Sequence, residues 1–277
     1  MFEAFQLDIT TGHIPFHSEA EYFQKWQSTF KESLNSINDA VNSSGQLDIN
    51  KLEADWFPEI DAHIFLSHSH NDEGQVLNFA NWLYATTGIK CFIDSQFWKY
   101  SINLLREIDN KYCLSQSKET YDYDKRNQTT AHIHMLLATS LMKMINKTEC
   151  LFFIKPSNSN SNRSGELYTN STWINLELLA SNLLRINVPK RFATLNIRDS
   201  KHEAALDSLV LESFDPLYQV DLSHLNNLKI EDIQTLILSS EKDPFSFLNQ
   251  TYLEYGKNTS AVQKHLGDKK RCDVIHG

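Results

Sequence analysis

An α/β fold, an open parallel sheet with helices on both faces, follows from three observations on this 277-residue chain. Short apolar runs at His63–Ser67, Ile89–Ile93 and Cys150–Ile154 have the length and composition of buried strands. Segments of helical periodicity separate them. The strands and helices alternate at the spacing that parallel crossover units require.

Residues 19–42 carry Tyr22, Phe23, Trp26, Phe30, Leu34, Ile37 and Val41 at helical spacing, with Ser18 placed to cap. A linker, Asn42-Ser-Ser-Gly-Gln, leads to a second short helix over Leu47–Phe57 that Pro58 ends. Residues 1–58 are thus expected to form an N-terminal helical extension. After the strand at 63–67, Val76, Phe79, Ala80 and Leu83 share one face of a helix over 71–87, and Gly88 is placed to end it. Residues Asp94–Tyr100 read as a loop. Ser101 then caps a helix with Ile102, Leu105, Ile108 and Tyr112 on one side.

Residues 115–130, polar and aromatic, read as an insertion. A helix over Ala131–Asn146 aligns Ile133, Leu137, Leu141 and Met144. A second insertion near 155–170 contains the low-complexity run Pro156-Ser-Asn-Ser-Asn-Ser-Asn-Arg-Ser-Gly165. A helix over Thr172–Arg185, strands near 192–197 and 217–222, and a helix over 231–239 complete a domain spanning 59–240. Residues 241–277 are expected to be a tail.

Composition bounds the function. A net charge of −9 argues against a general nucleic-acid binder, which needs clustered Lys and Arg, but leaves room for a small phosphate-bearing ligand. No run of about 18 apolar residues suggests a membrane span. The start lacks a basic region before an apolar one and does not read as a signal peptide. Cys91, Cys113, Cys150 and Cys272 are scattered, without a CxxC pair, as reduced thiols of a cytoplasmic protein are. With eight glycines there is no phosphate-cradling loop, and Ser67 and Ser69 do not sit in a Gly-x-Ser-x-Gly elbow.

Chemistry is expected beyond the carboxyl ends of the strands, where Ser67–Asp72, Asp94–Tyr100 and the loop into Trp173 leave the sheet. On the helix after 172, Trp173, Glu177, Ala180 and Leu184 share a face, with Ile174, Leu178 and Ser181 on the next. Glu177 therefore lies against the packed side, where a carboxyl group is costly without a partner. Two roles stay open for it: a functional acid, or a half-exposed Glu paired with a cation. Ser67 and His68 either line a ligand or close the turn and cap the next helix. His68-x-His70, with Asp72, and His132-x-His134 have metal-like spacing, but no third and fourth ligands accompany them, so no metal site is expected.

The segment His63-Ile-Phe-Leu-Ser-His-Ser-His-Asn-Asp72 resembles the opening strand and polar turn of Toll/interleukin receptor (TIR) domains. Gly88-Ile-Lys-Cys-Phe-Ile-Asp94 is similar to their second strand. Thr172-Trp-Ile-Asn-Leu-Glu177 is similar to the Ser/Asp-Trp-x-x-x-Glu of the members that hydrolyse NAD⁺. The resemblance covers about residues 61–240 and rests on three motifs in the family's order. It implies a flavodoxin-like sheet and Glu177 as the catalytic residue of an NAD⁺ glycohydrolase or ADP-ribosyl cyclase. It further implies that Ser67, His68, Asp94, Phe97, Trp98 and Trp173 contact NAD⁺, with no other cofactor. By the same resemblance the protein self-associates through the TIR domain, Phe97 and Trp98 being candidates for that contact, and serves bacterial antiphage defence, either by depleting NAD⁺ or by making an ADP-ribose signal for a separate effector protein. The chain departs from the family pattern at Tyr100-Ser101, where a glycine is common, and in its two insertions. Two alternatives remain: a non-enzymatic TIR assembly module, and a nucleoside ribosyltransferase-like enzyme.

Overall fold

The computed structural model describes the chain except residues 19–20, 22, 25–36, 42–45, 94, 116, 118, 157–167, 193–217, 261 and 265–277, and except the side chains of 37, 38 and 96–101. The described strands are β1 (Glu3–Asp8), β2 (Ile64–Ser67), β3 (Cys91–Ile93), β4 (Cys150–Ile154), β5 (Tyr168–Thr169), β6 (Tyr218–Gln219) and β7 (Asn226–Lys229). The described α-helices are α1 (Ile49–Trp56), α2 (Glu73–Thr87), α3 (Ser95–Tyr112), α4 (Tyr123–Lys147), α5 (Thr172–Leu183), α6 (Ile230–Ser239) and α7 (Pro244–Tyr255).

Five strands form a parallel sheet in the order β3-β2-β4-β1-β7, so the chain is an α/β protein. The central strands β2 and β4 are buried at every position, as expected of strands covered on both faces. Edge strand β7 reads Asn-Asn-Leu-Lys and buries only Leu228. β5 and β6 make a separate antiparallel pair.

The reading of residues 1–58 as a helical extension is corrected at its start. β1 lies between β4 and β7, with Phe5 opposite Phe152 and Leu7 opposite Ile154. The period-2 alternation of Phe5, Leu7 and Ile9 is the signal for this strand, and all three are buried. The C-terminal tail reading is corrected too. Asp243 accepts from the Ser246 N–H and Pro244 opens the first turn of α7, which buries Phe247, Leu248 and Tyr252.

The chain divides into two compact units. The first gathers Met1–Ser18, Ala62–Phe92 and Ile145–Gly277 around the sheet. In it, Phe5 stacks on Tyr252 of α7 and meets Phe152 edge-on. Side chains alternate along a strand, so Phe153 points to the opposite face, and so does its register partner Ser67. That second face is covered by α5, whose Glu177 receives the Ser67 hydroxyl. Helix α2 buries Val76, Phe79, Ala80 and Leu83 and ends at Gly88, whose φ of 76° is the left-handed geometry of a helix stop.

The second unit comprises Glu19–Asp61 and Ile93–Met144. Asp48 caps α1 by accepting from the Asn50 and Lys51 N–H groups. Glu53 of α1 accepts from Ser140 and Lys143 of α4. Asp109 of α3 accepts from Arg126 and Thr129 of α4. Most of the helix expected over 19–42 lies outside the described residues.

Two loop expectations here are overturned. Asp94 lies outside the described residues, and from Ser95 the chain is helical, so 95–100 is no loop and Ser101 lies inside α3 instead of capping it. Its buried stripe is Leu104 and Ile108, while Ile102 and Tyr112 are exposed. Helix α4 begins at Tyr123, eight residues before the expected start at Ala131, which shrinks the insertion. The physical reason is shared: no glycine or proline occurs between Gly88 and Pro156, so polar composition alone does not break these helices. The strand expected near 192–197 falls almost wholly outside the described residues; Phe192 closes a 3₁₀ turn over Lys190–Phe192.

Candidate functional site

Strand order places a switch point between β2 and β4. The chain leaves β2 toward β3 on one side of the sheet and leaves β4 toward β7 on the other. Connections that part in this way open a crevice at the carboxyl ends of the two strands, where ligands of such sheets bind. Ser67 is the last residue of β2.

Helix α5 supplies the acid. The Ser171 hydroxyl caps it by accepting from the Ile174 N–H at 3.3 Å, which sets the helix phase. Ile174, Glu177, Leu178, Ala180 and Ser181 are then buried. Ser67 Oγ donates to Glu177 Oε2 at 2.6 Å, and both residues are 0 % exposed. At that length the bond belongs to the short class seen with carboxylate acceptors. The hydroxyl that was expected to contact a ligand or close a turn therefore holds the carboxyl group of Glu177.

His68 follows Ser67 and is buried, with its Nδ1 at 3.4 Å from the Leu66 carbonyl. Asp72 is buried beside the start of α2 but does not cap it through its side chain. Trp173 is half-buried, one turn before Glu177 on α5. Asp94 lies outside the described residues, and Phe97 and Trp98 are on α3, their side chains likewise undescribed. Of the expected site residues, the structure brings Ser67 and Glu177 into contact, with His68 adjoining. Among the described residues no three His, Cys, Asp or Glu side chains gather as metal ligands. Among them, too, no helix is long and apolar enough to cross a membrane.

No family model, curated protein or solved structure matches the chain. The site therefore rests on its geometry.

Two polar groups escaped the sequence reading. At the amino edge, Ser181 Oγ donates to the Leu178 carbonyl at 2.7 Å and lies 2.8 Å from His224 Nε2. Burial holds the His224 imidazole below its ordinary range; Asp221 opposes the shift and Lys257 adds to it. At the carboxyl edge, Lys155 Nζ lies 3.4 Å from Asp8 Oδ2. Burial raises the Asp8 pKa, but hydrogen bonds from Thr10 and the charge of Lys155 outweigh it and leave the carboxyl below its usual range. The period-2 run of Phe5, Leu7 and Ile9, with Asp8 between its last two members, was the signal for this second group; nothing in the sequence links Ser181 to His224.

Proposed function

We propose that this chain is a TIR-type enzyme that cleaves the nicotinamide–ribose bond of NAD⁺, with Glu177 as the catalytic residue. The observation that supports this reading is the buried Ser67–Glu177 pair at the carboxyl edge of the switch point. It unites two of the motifs on which the family resemblance rests, the polar turn after the first strand and the Trp-x-x-x-Glu helix.

In the proposed reaction the C1′–N bond breaks and its electron pair leaves with nicotinamide, which departs neutral and needs no acid. The ribose passes through an oxocarbenium-like state. A fixed carboxylate against that developing positive charge lowers the barrier, most strongly in a dry site. Water, or another oxygen or nitrogen nucleophile, adds to C1′ and loses a proton, giving ADP-ribose, a cyclic isomer or a conjugate. Ser67 is a positioning residue here, holding Glu177 in one rotamer. Because Glu177 is fully buried, the reading entails a closed resting state that opens to admit substrate. By the family resemblance the setting is cytoplasmic antiphage signalling, with self-association and a separate effector.

The test is nicotinamide release from NAD⁺, followed by mass spectrometry with concentrated purified protein and in infected cells. Wild type releases nicotinamide and a folded Glu177→Gln protein does not. Retained cleavage by Glu177→Gln, or silence of wild type in both settings, overturns the reading.

A further inference from the structure

On the face of the sheet that carries Ser67 and Glu177 lies a cation that the proposed reaction does not use. Lys155 follows β4 directly, and its N–H donates to the Leu7 carbonyl at 2.9 Å, continuing the ladder one residue past the strand. Alternation then puts its side chain on the face of Phe153, the register partner of Ser67. Asp8 shares this face through Gln6, which is also opposite Phe153, and it meets Lys155 across the strands. From Ser67 to Lys155 is one strand across and two residues along, about 8 Å between Cα atoms from strand geometry.

Lys155 is poised to change partners. Its side chain is 44 % exposed and its 3.4 Å contact is long for a charge-assisted hydrogen bond. Partly exposed pairs of this kind contribute little, and the lysine stem is flexible. Asp8 is held independently, because Thr10 donates to its Oδ1 from both N–H (3.0 Å) and hydroxyl (2.6 Å). It keeps its place when the lysine leaves. A chain of net charge −9 does not attract an anion by its overall field, so an anionic ligand needs a local cation at the crevice.

We propose that Lys155 is the phosphate-recognition residue of this site. It takes the 5′-phosphate of the nucleotide whose ribose lies at Glu177, and Asp8 is the internal competitor that it leaves. The nucleotide's identity rests on the NAD⁺ reading; the anion subsite rests on the sheet geometry.

The experiment is calorimetric binding of ADP-ribose to the full chain and to Lys155→Met, Lys155→Arg and Asp8→Asn, with phosphate-free adenosine as the second probe. Wild type binds ADP-ribose, and Lys155→Met binds it about tenfold more weakly, the loss expected for one charge-assisted contact. Lys155→Arg retains most of the affinity, Asp8→Asn binds more tightly, and adenosine does not distinguish the four proteins. Equal ADP-ribose affinity of wild type and Lys155→Met, no binding by wild type, or an equal loss for adenosine overturns the proposal. NAD⁺ cleavage assayed in parallel separates the two readings. Cleavage with indifferent Lys155 variants removes the subsite and leaves the enzyme. Lys155-dependent binding without any cleavage leaves the subsite and removes the enzyme.

Discussion

Cutting the bond between Ser67 and Glu177 tests the site independently of any activity. Ser67→Ala removes one oxygen and creates almost no cavity, so its cost isolates the hydrogen bond. The two residues are fully buried and 2.6 Å apart, so water cannot replace the lost donor without the packing opening. Removing one donor from a buried acceptor costs about 1–3 kcal/mol. Glu177→Met keeps the length of the side chain but has no carboxyl oxygen, so in that background Ser67→Ala removes nothing from an acceptor. The double-mutant cycle therefore carries a coupling of about 1–3 kcal/mol, within the range for groups in direct contact. The assay is urea unfolding of the four proteins by circular dichroism, at constant slope. Additivity within about 0.5 kcal/mol, the behaviour of independent sites, refutes the described contact and with it the positioning role of Ser67.

Three further outcomes follow from the fold. Phe5→Ala in β1 costs roughly 3–5 kcal/mol by denaturant unfolding, as loss of a fully buried Phe between Phe152 and Tyr252 does; a cost near zero would mean that residues 3–8 are not a central strand. Gly88→Ala costs about 1–2 kcal/mol, because φ of 76° strains an L side chain while Pro244 leaves ordinary room at 3.4 Å; an unchanged midpoint refutes the left-handed helix stop. Burial disfavours the charged imidazole of His224 in the folded state, so the unfolded chain binds more protons as pH falls through the ordinary histidine value of 6.5. Its contribution is complete above that pH and is lost as pH falls toward the depressed folded value, and His224→Gln flattens the stability profile there; parallel profiles refute it.

Where burial is two-sided and local, the sequence was a good guide. β4 was expected at Cys150–Ile154 and has those bounds, because an all-apolar strand needs no partner to be recognised. The stripes of α2 and of residues 133–144 were legible for the same reason: periodicity of 3.6 shows which side is buried. Glu177 could be placed on the packed side of its helix from the spacing of its neighbours, and its burial follows.

Other features are decided only when distant segments meet. β7 is polar because it is an edge strand with one packed residue, so it carries no strand signal of its own. Residues 95–100 looked like a loop by composition, yet with no breaker present they continue a helix. The place of β1 between β4 and β7 pairs residues 147 or more positions apart in sequence, as in Glu3 with Cys150, and short-range patterning cannot choose such a pairing. The site repeats this division. Sequence alone determined that Ser67 ends a buried strand and that Glu177 lies on a packed helix face. Only the tertiary structure decided that the hydroxyl meets the carboxyl across 110 residues, and that Asp8 and Lys155 share their face of the sheet, because strand order and register arise from the packing of the whole sheet.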